Sequence, residues 1–417
     1  MKFIKEQQNP LKILALSQFY YPDTVSVSQH LTDLLEALSE RGHEVTVYSS
    51  IRDYENPGKT FSNYEIVNNV KIQRINNTGF GKKNKISRLS DFISFNFLIF
   101  IKLLFVNKNK FDLIIGMTSP PLLSYIALKI AKFKYIKFIY WTMDLQPELA
   151  IVANYIKPGS KTALSLQKRG DYIFKFSDKI ITLDTFMEKH ILKRTKGLNN
   201  KIDIIPVWPV MNKLYSGDRS NNPFRLENNF KDKIVIMYSG NHSVMHPLTT
   251  LLESAVILRD DYRFLFVHVG GGIGLKKVLE YKEKYNLQNV VTLPFQPREN
   301  IHISLGSADI QVVSLGKNCV GYTHPNKIYG SMFIGKPILY IGPENSHISE
   351  ILDKCEGNIS VNHGDFDFLV EKLDRFAKSS FEKNQLIGNN NKNFANKYLH
   401  PTKLINKMAD SIEKVVQ

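Results

Sequence analysis

The stretch Thr323–Gly342 reads THPNKIYGSMFIGKPILYIG, and a run of buried-strand type, Ile310–Ser314, stands before it. Pro325 and Asn326 open a short helix, Lys327 sits on its first turn, Gly335 stops it, and a second apolar strand runs from Pro337. A helix start turns unpaired N–H groups and a partial positive charge outward, which suits a phosphate. Lys327 adds a full charge at the same place. An ordinary strand–helix–strand unit with a solvated lysine would look the same. A second loop of related design, at Gly240, favours a nucleotide-diphosphate site.

The same alternation runs along the whole chain. In the first half LKILALS, HEVTVYS, DLIIGM, KFIYWTM, DKIITL and KIDIIPV read as strands. In the second half KIVIMYSG, RFLFVHVG, NVVTLP, DIQVVSL and KPILYIG follow. Helical stretches lie between them, including 27–40, 247–258 and 275–285. Strands interleaved with helices mean parallel sheets covered on both faces, and two such series predict two doubly wound α/β domains. The prolines of Pro206-Val-Trp-Pro-Val210 punctuate the change. The expected divisions are 1–208, 209–390 and a C-terminal helical segment, 391–417, breaking near His400-Pro401 and packing back on the first domain. In open α/β sheets a ligand lies beyond the C-terminal ends of the strands, so the cleft between two such domains is the expected site.

A chain of 417 residues exceeds one ordinary core, which agrees with two domains. The two cysteines, Cys319 and Cys355, make neither a metal-type spacing nor a disulfide framework, and a reducing cytoplasm fits. MKFIKEQQNPLKILALSQF carries no signal-peptide pattern, and no run reaches the roughly 20 apolar residues of a spanning helix. The net charge of +16 is unevenly placed. Between Lys71 and Lys110 nine basic residues, among them Lys82, Lys83 and Lys85, face one acid, Asp91. Within this stretch Phe92–Val106, FISFNFLIFIKLLFV, reads as a helix with a broad apolar face and basic ends, suited to an anionic membrane surface. The same face would also serve as core. No nucleic-acid recognition motif accompanies the charge, so nucleic acid is not an expected partner.

Several loops at strand ends carry polar groups. Ser239-Gly240-Asn241-His242 ends a strand ahead of a helix near His246-Pro247, where Gly240 allows close backbone approach and Asn241 and His246 could donate to a phosphate. Gly270-Gly271-Gly272 ends the next strand, a weak phosphate-loop signal without Walker or GxGxxG spacing. In the first half Phe19–Ser28, FYYPDTVSVS, offers Tyr21, Asp23 and Ser26, and YWTMDLQPE places Asp144 and Glu148 after a buried strand. Helix capping for Asp144 and a solvated place for Glu148 are the plain alternatives. There is no serine-hydrolase elbow, no HExxH and no convincing metal-ligand spacing.

With FYYPDTxSxSQHLTDLLEALxxRGHEVTVYS, MDLQPE, VIMYSGNHxxxHPLxTLLE, FVHVGGG, LPFQPREN and HPNKIYGSMFIGKPILYIGP in this order, the chain resembles bacterial family 4 glycosyltransferases. The branch it is most similar to builds capsule, O-antigen and exopolysaccharide. The resemblance spans about Leu11 to Leu352. It implies a GT-B fold, two Rossmann-like domains facing across a cleft. It further implies a nucleotide-sugar donor on the C-terminal domain, an acceptor on the N-terminal one, retention of anomeric configuration and no required metal. On this resemblance Lys327, His246 and Asp144 are the expected catalytic groups. Gly240, Asn241, Gly271, Gly272, Phe295, Gln296, Arg298, Pro325 and Asn326 would bind the donor, with Phe295, Gln296 and Arg298 beside the base. Tyr21, Asp23, Ser26 and Glu148 would bind the acceptor.

Two departures stand out. Many relatives carry two glutamates separated by seven residues, where this chain has Tyr322 and Gly330, so a ribose contact must come from elsewhere, with Glu350 a candidate. Many carry an arginine and a lysine in the Gly240 loop, where Asn241 and His246 stand here. The expected activity is transfer from a nucleotide-sugar, UDP-linked, to a lipid-linked acceptor by a cytoplasmic protein peripheral on the inner face of the membrane, without a cofactor. A nucleotide-sugar epimerase or hydrolase of the same fold, or a non-catalytic membrane-bound assembly subunit, are the alternatives.

Overall fold

The structure, a computed structural model, describes residues 9–416 apart from 55, 82–84, 212, 213 and 216. Lys82 and Lys83, and the side chain of Lys85, lie outside the described residues. The chain divides into two compact units. Unit 1 takes Met1–Ile151, Ile156–Pro206 and Leu404–Gln417; unit 2 takes Val152–Tyr155 and Val207–Lys403.

Unit 1 holds strands β1 (Lys12–Leu16), β2 (Glu44–Ser50), β3 (Tyr64–Val67), β4 (Val70–Ile75), β5 (Leu113–Met117), β6 (Lys137–Trp141), β7 (Lys179–Thr182) and β8 (Ile202–Ile204). They form one sheet in the order β3-β4-β2-β1-β5-β6-β7-β8. The central strands are buried along nearly their whole length, as helices on both faces require. The alternation predicts a wholly parallel sheet, and the edge departs from it. There β3 pairs antiparallel with β4, Val67 opposite Val70, and both loop residues, Asn68 and Asn69, have positive φ. Two asparagines in that conformation make the primed turn that suits a two-residue hairpin.

The helix Ser26–Glu40 follows β1, and its inner face buries Leu31, Leu34, Leu35 and Leu38. The helix Lys85–Leu104 follows β4 and begins earlier than 92. Its residues Phe95, Ile99 and Leu103 are buried. The C-terminal helix Pro401–Glu413 is fastened within unit 1 by Arg41, whose guanidinium reaches Asp410 at 2.7 Å and Glu413 at 3.0 Å. The preceding helix, Phe381–Tyr398, lies in unit 2 and starts ten residues before the expected 391.

Unit 2 is built on β9 (Ile234–Ser239), β10 (Phe264–Val269), β11 (Val290–Leu293), β12 (Ile310–Ser314), β13 (Ile338–Ile341) and β14 (Ile359–Val361). Every pairing is parallel, in the order β11-β10-β9-β12-β13-β14. The chain therefore winds outward one way from β9 and then the other way from β12. The crevice beyond the ends of β9 and β12 is the switch point of this sheet, where ligands of such folds bind. On one face Ile236, Tyr238, Phe264, Phe266, Ile310, Val312 and Leu339 pack with the helices Thr249–Ile257 and Phe366–Lys378. The opposite face buries Val235, Met237, Leu265 and Val267 with Phe224 and Phe230.

Candidate functional site

Three strand ends of unit 2 converge on one place. After β9 the chain turns at Gly240, φ +125°, and after β10 at Gly270, φ +124°, and Gly272, φ +112°. The two loops are laced together: Gly240 N–H donates to Val269 O at 2.9 Å, His242 N–H to Gly271 O at 2.7 Å, and Gly274 N–H to His242 O at 2.9 Å. A Cβ on Gly270 would stand 2.2 Å from Gly240 O, and one on Gly272 2.1 Å from Asn241 Oδ1. Both the dihedral angles and the contact thus require glycine. From β11 comes Phe295, half-exposed, whose ring lies 3.0 Å from where a Cβ of Gly271 would be. The glycine motif, the Gly240 loop and Phe295 therefore form one surface. Gln296 folds back on its own backbone through Pro294 O, and Arg298 opens a short 3₁₀ turn.

Lys327 enters this surface from the other side of the switch point. Pro325 is buried and Asn326 precedes the helix Lys327–Phe333. The lysine stem runs past Gly240, where a Cβ would lie 3.6 Å from Lys327 Cε and 3.7 Å from Nζ. Nζ is buried, makes no hydrogen bond to the described residues and stands 3.6 Å from the centroid of the Tyr238 ring. Tyr238 is itself fixed through its hydroxyl, which donates to Asn241 O at 2.9 Å. Burial of an ammonium without a carboxylate partner costs free energy, and it pushes Lys327 down from 10.5 to about 7.

His246 bridges β9 and β12. Its Nδ1 lies 2.7 Å from Ser314 O at the end of β12, while Ser314 Oγ donates to Pro247 O at 2.6 Å and Gly316 N–H to Met245 O at 2.9 Å. A carbonyl only accepts, so Nδ1 carries the proton. Burial, then the neighbouring Lys327, press His246 down to about 3, so the ring is neutral. The remaining nitrogen, Nε2, is then an acceptor. That differs from the phosphate donor expected from the sequence. Two further histidines escaped the sequence reading. His242 Nε2 and His268 Nδ1 lie 3.4 Å apart beneath the glycine loops, and burial first of all lowers them to about 4 and 3. A histidine inside the buried strand FLFVHV was the signal available. Glu350 is exposed on the first turn of the helix His347–Leu352.

Unit 1 has its own switch point, between β1 and β5. After β1 a cis Tyr21–Pro22 bond precedes buried Asp23, whose Oδ1 accepts from Tyr54 N–H at 2.9 Å. Tyr21 is exposed while its carbonyl accepts from Arg74 at 2.7 Å, and Ser26 is exposed at the first turn of its helix. After β6, Asp144 is half-buried in the bend that follows Met143, whose N–H donates to Thr118 Oγ1 at 2.9 Å. Glu148 is neither solvated nor free. Arg194 donates to its two oxygens at 2.9 and 3.0 Å and also to Asp171 and the carbonyls of Gln146 and Gln167. A half-buried, charge-assisted fork of this kind anchors the loop.

Residues 27–207 match the family model described as Glycosyltransferase Family 4. The probable glycosyltransferase WbjE of Pseudomonas aeruginosa is 24% identical over 246 residues, covering 58% of this chain and 60% of that protein. The putative colanic acid biosynthesis glycosyl transferase WcaI of Escherichia coli (strain K12) is 22% identical over 360 residues, 83% of this chain and 87% of that protein. Among solved structures, HepE of Anabaena in complex with UDP and glucose superposes with a TM-score of 0.71 at 13% identity, covering 97% of this chain and all of that one. With two doubly wound sheets of the GT-B type and this family match over residues 27–207, the chain is similar to the family 4 glycosyltransferases.

Proposed function

We propose that the chain transfers a sugar, with retention and without a required metal, from a UDP-linked donor to a lipid-linked acceptor in bacterial surface polysaccharide synthesis. The observation that carries this reading is the buried, unpartnered Lys327 ammonium set beside the glycine loops at the switch point of unit 2. The difficulty in such a transfer is departure of a nucleoside diphosphate while positive charge grows on the sugar ring. Fixed donors aimed at the leaving group lower that barrier. Lys327 and the backbone of the Gly240 and Gly270–272 loops would hold the diphosphate, with the Phe295 face beside the base. The acceptor hydroxyl attacks on the side the diphosphate leaves, and the leaving phosphate takes its proton. Asp144 would orient the sugar or the acceptor. UDP in the HepE complex supports the choice of nucleotide.

The lipid-linked acceptor is supported by unit 1. The helix Lys85–Leu104 exposes Ile86, Leu89, Ile93, Phe97, Phe100, Ile101 and Leu104 at helical spacing on one face. Phe105, Phe133 and Tyr135 are more than 70% exposed, and Lys108, Lys110, Lys129 and Lys132, near them in the chain, are exposed too, with Lys108 over the Tyr135 ring. Among the described residues no helix is long and apolar enough to cross a membrane. An apolar stripe with a basic rim suits the inner face of an anionic bilayer, with the protein held peripherally.

A panel of nucleotide sugars screened for thermal stabilisation tests the donor. A ligand at a hundred times its Kd adds about 2.7 kcal/mol to the native state. One UDP-sugar should raise the melting temperature, and an extracted lipid fraction should then accept its sugar. Stabilisation by none of the panel overturns the reading and favours a non-catalytic subunit. Donor turnover without acceptor favours an epimerase or hydrolase.

A further inference from the structure

His246 occupies a position whose hydrogen-bonding capacity is set by its neighbours rather than by its type. Ser314 O accepts the Nδ1 proton at 2.7 Å, and Ser314 is itself held at the end of β12 by its strand and by its hydroxyl bond to Pro247 O. The imidazole can turn only by giving up that bond. No hydrogen bond joins Nε2 to the described residues, and Nε2 is not among the enclosed polar atoms. Phosphate oxygens accept and do not donate, so a neutral Nε2 and a diphosphate repel one another. A hydroxyl, in contrast, donates. Lys327 on the same crevice has the complementary property, donors only.

Resting on the donor reading above, we infer that His246 is a specificity-determining residue that accepts a hydrogen bond from a hydroxyl of the bound nucleotide-sugar, leaving the diphosphate to Lys327 and the glycine loops. Two hydroxyl sources share this chemistry, the ribose and the transferred sugar. A bond to the ribose would replace the contact that Gly330 cannot make. A site built to accept from a hydroxyl rejects the analogue lacking it, because the acceptor, cut off from water by the bound ligand, is left unpaired.

The test has two arms. In protein labelled with ¹⁵N-histidine, the resonance assigned by its loss in His246→Gln should report a protonated Nδ1 and a bare Nε2 from pH 5 to 8. A protonated Nε2 in that range overturns the inference whatever the ligand. The second arm measures Kd for UDP-glucose, 2′-deoxy-UDP-glucose and the 2-, 3-, 4- and 6-deoxyglucose analogues. The parent should bind one deoxy analogue at least tenfold more weakly than UDP-glucose. That ratio should fall to about one in His246→Ala and in donor-only His246→Lys. It should persist in His246→Gln, whose amide can donate to Ser314 O and accept with its oxygen. Which analogue loses affinity tells ribose from sugar. Equal discrimination by the parent and His246→Ala overturns the inference. Failure of UDP-glucose to bind the parent counts instead against the UDP-linked donor, and the nuclear resonance arm still decides the tautomer.

Discussion

Lys327 Nζ stands 3.6 Å from the centroid of the Tyr238 ring, and the pair is buried with no carboxylate bonded to the ammonium among the described residues. A cation over an aromatic face recovers roughly 0.5–2 kcal/mol, less than burial of the charge costs. The buried ammonium therefore costs the fold stability at this place. Removing the charge should stabilise it while removing function.

Lys327 titrates near 7 in the folded chain against 10.5 when unfolded. Between these values the unfolded state binds the extra proton, so stability rises with pH across that window. The gain is about 1.4 kcal/mol for each pH step of one across it. Lys327→Met should melt higher than the parent in a phosphate-free buffer at or below pH 7. The gap should close toward pH 10.5. A variant that melts lower throughout would mean that the ammonium supports the fold.

Donor affinity should follow the same proton. A diphosphate favours the ammonium form, so binding above pH 7 draws a proton from solvent. Where only that form binds, the apparent Kd rises about tenfold for each pH step of one above the group's pKa. Calorimetry at pH 8 in buffers of different ionisation heat should show proton uptake by the parent and none by Lys327→Met. His242 and His246, the titratable neighbours that interact with Lys327, are already neutral at pH 8 and contribute nothing. A Kd that stays flat from pH 7 to 9 contradicts the placement of Lys327 on the diphosphate.

How far the site could be read in advance depended on what fixed each part. The glycines, the proline-lysine pair and the strands have local signatures, and the structure places Gly240, Gly270–272, Phe295 and Lys327 on one surface. The β3–β4 hairpin has a signature too, Asn68-Asn69, but it lies between the strand HEVTVYS and the basic stretch that starts at Lys71, where no element is expected. Long-range pairing left none. Glu148 meets Arg194, the tautomer of His246 depends on Ser314, and His242 meets His268, all through sequence separations of 26 to 68 residues. The exposure of Phe97 and Ile101 was likewise undecided, since an apolar helix face suits a core or a bilayer equally.

Metal independence can be measured directly. Lys327 places a positive charge beside the glycine loops, where a divalent cation would otherwise neutralise a diphosphate. Transfer should proceed in excess EDTA at a rate within about twofold of the untreated protein. Loss of turnover in EDTA, restored by Mg²⁺ or Mn²⁺, would reassign the charge stabilisation to a metal.

The membrane surface makes the last prediction. Ile93, Phe97 and Ile101 lie on successive turns of the helix Lys85–Leu104 and are 60%, 59% and 36% exposed. Burying such a side chain fully is worth about 1.5–3 kcal/mol, and each lysine near an anionic surface adds about 1 kcal/mol, screened by salt. The protein should sediment with vesicles containing phosphatidylglycerol at low salt, and less at high salt. Replacing Ile93, Phe97 and Ile101 together by serine should weaken vesicle binding at least tenfold. It should leave the melting temperature within a few degrees, because these side chains already face solvent. Changing Lys108, Lys129 and Lys132 to glutamine should weaken binding too, but mainly at low salt. The two sets therefore separate insertion from attraction. If the serine variant binds vesicles as the parent does, the stripe is not a bilayer face. If it binds less but melts far lower, the stripe belongs to the fold, and the membrane must be met elsewhere.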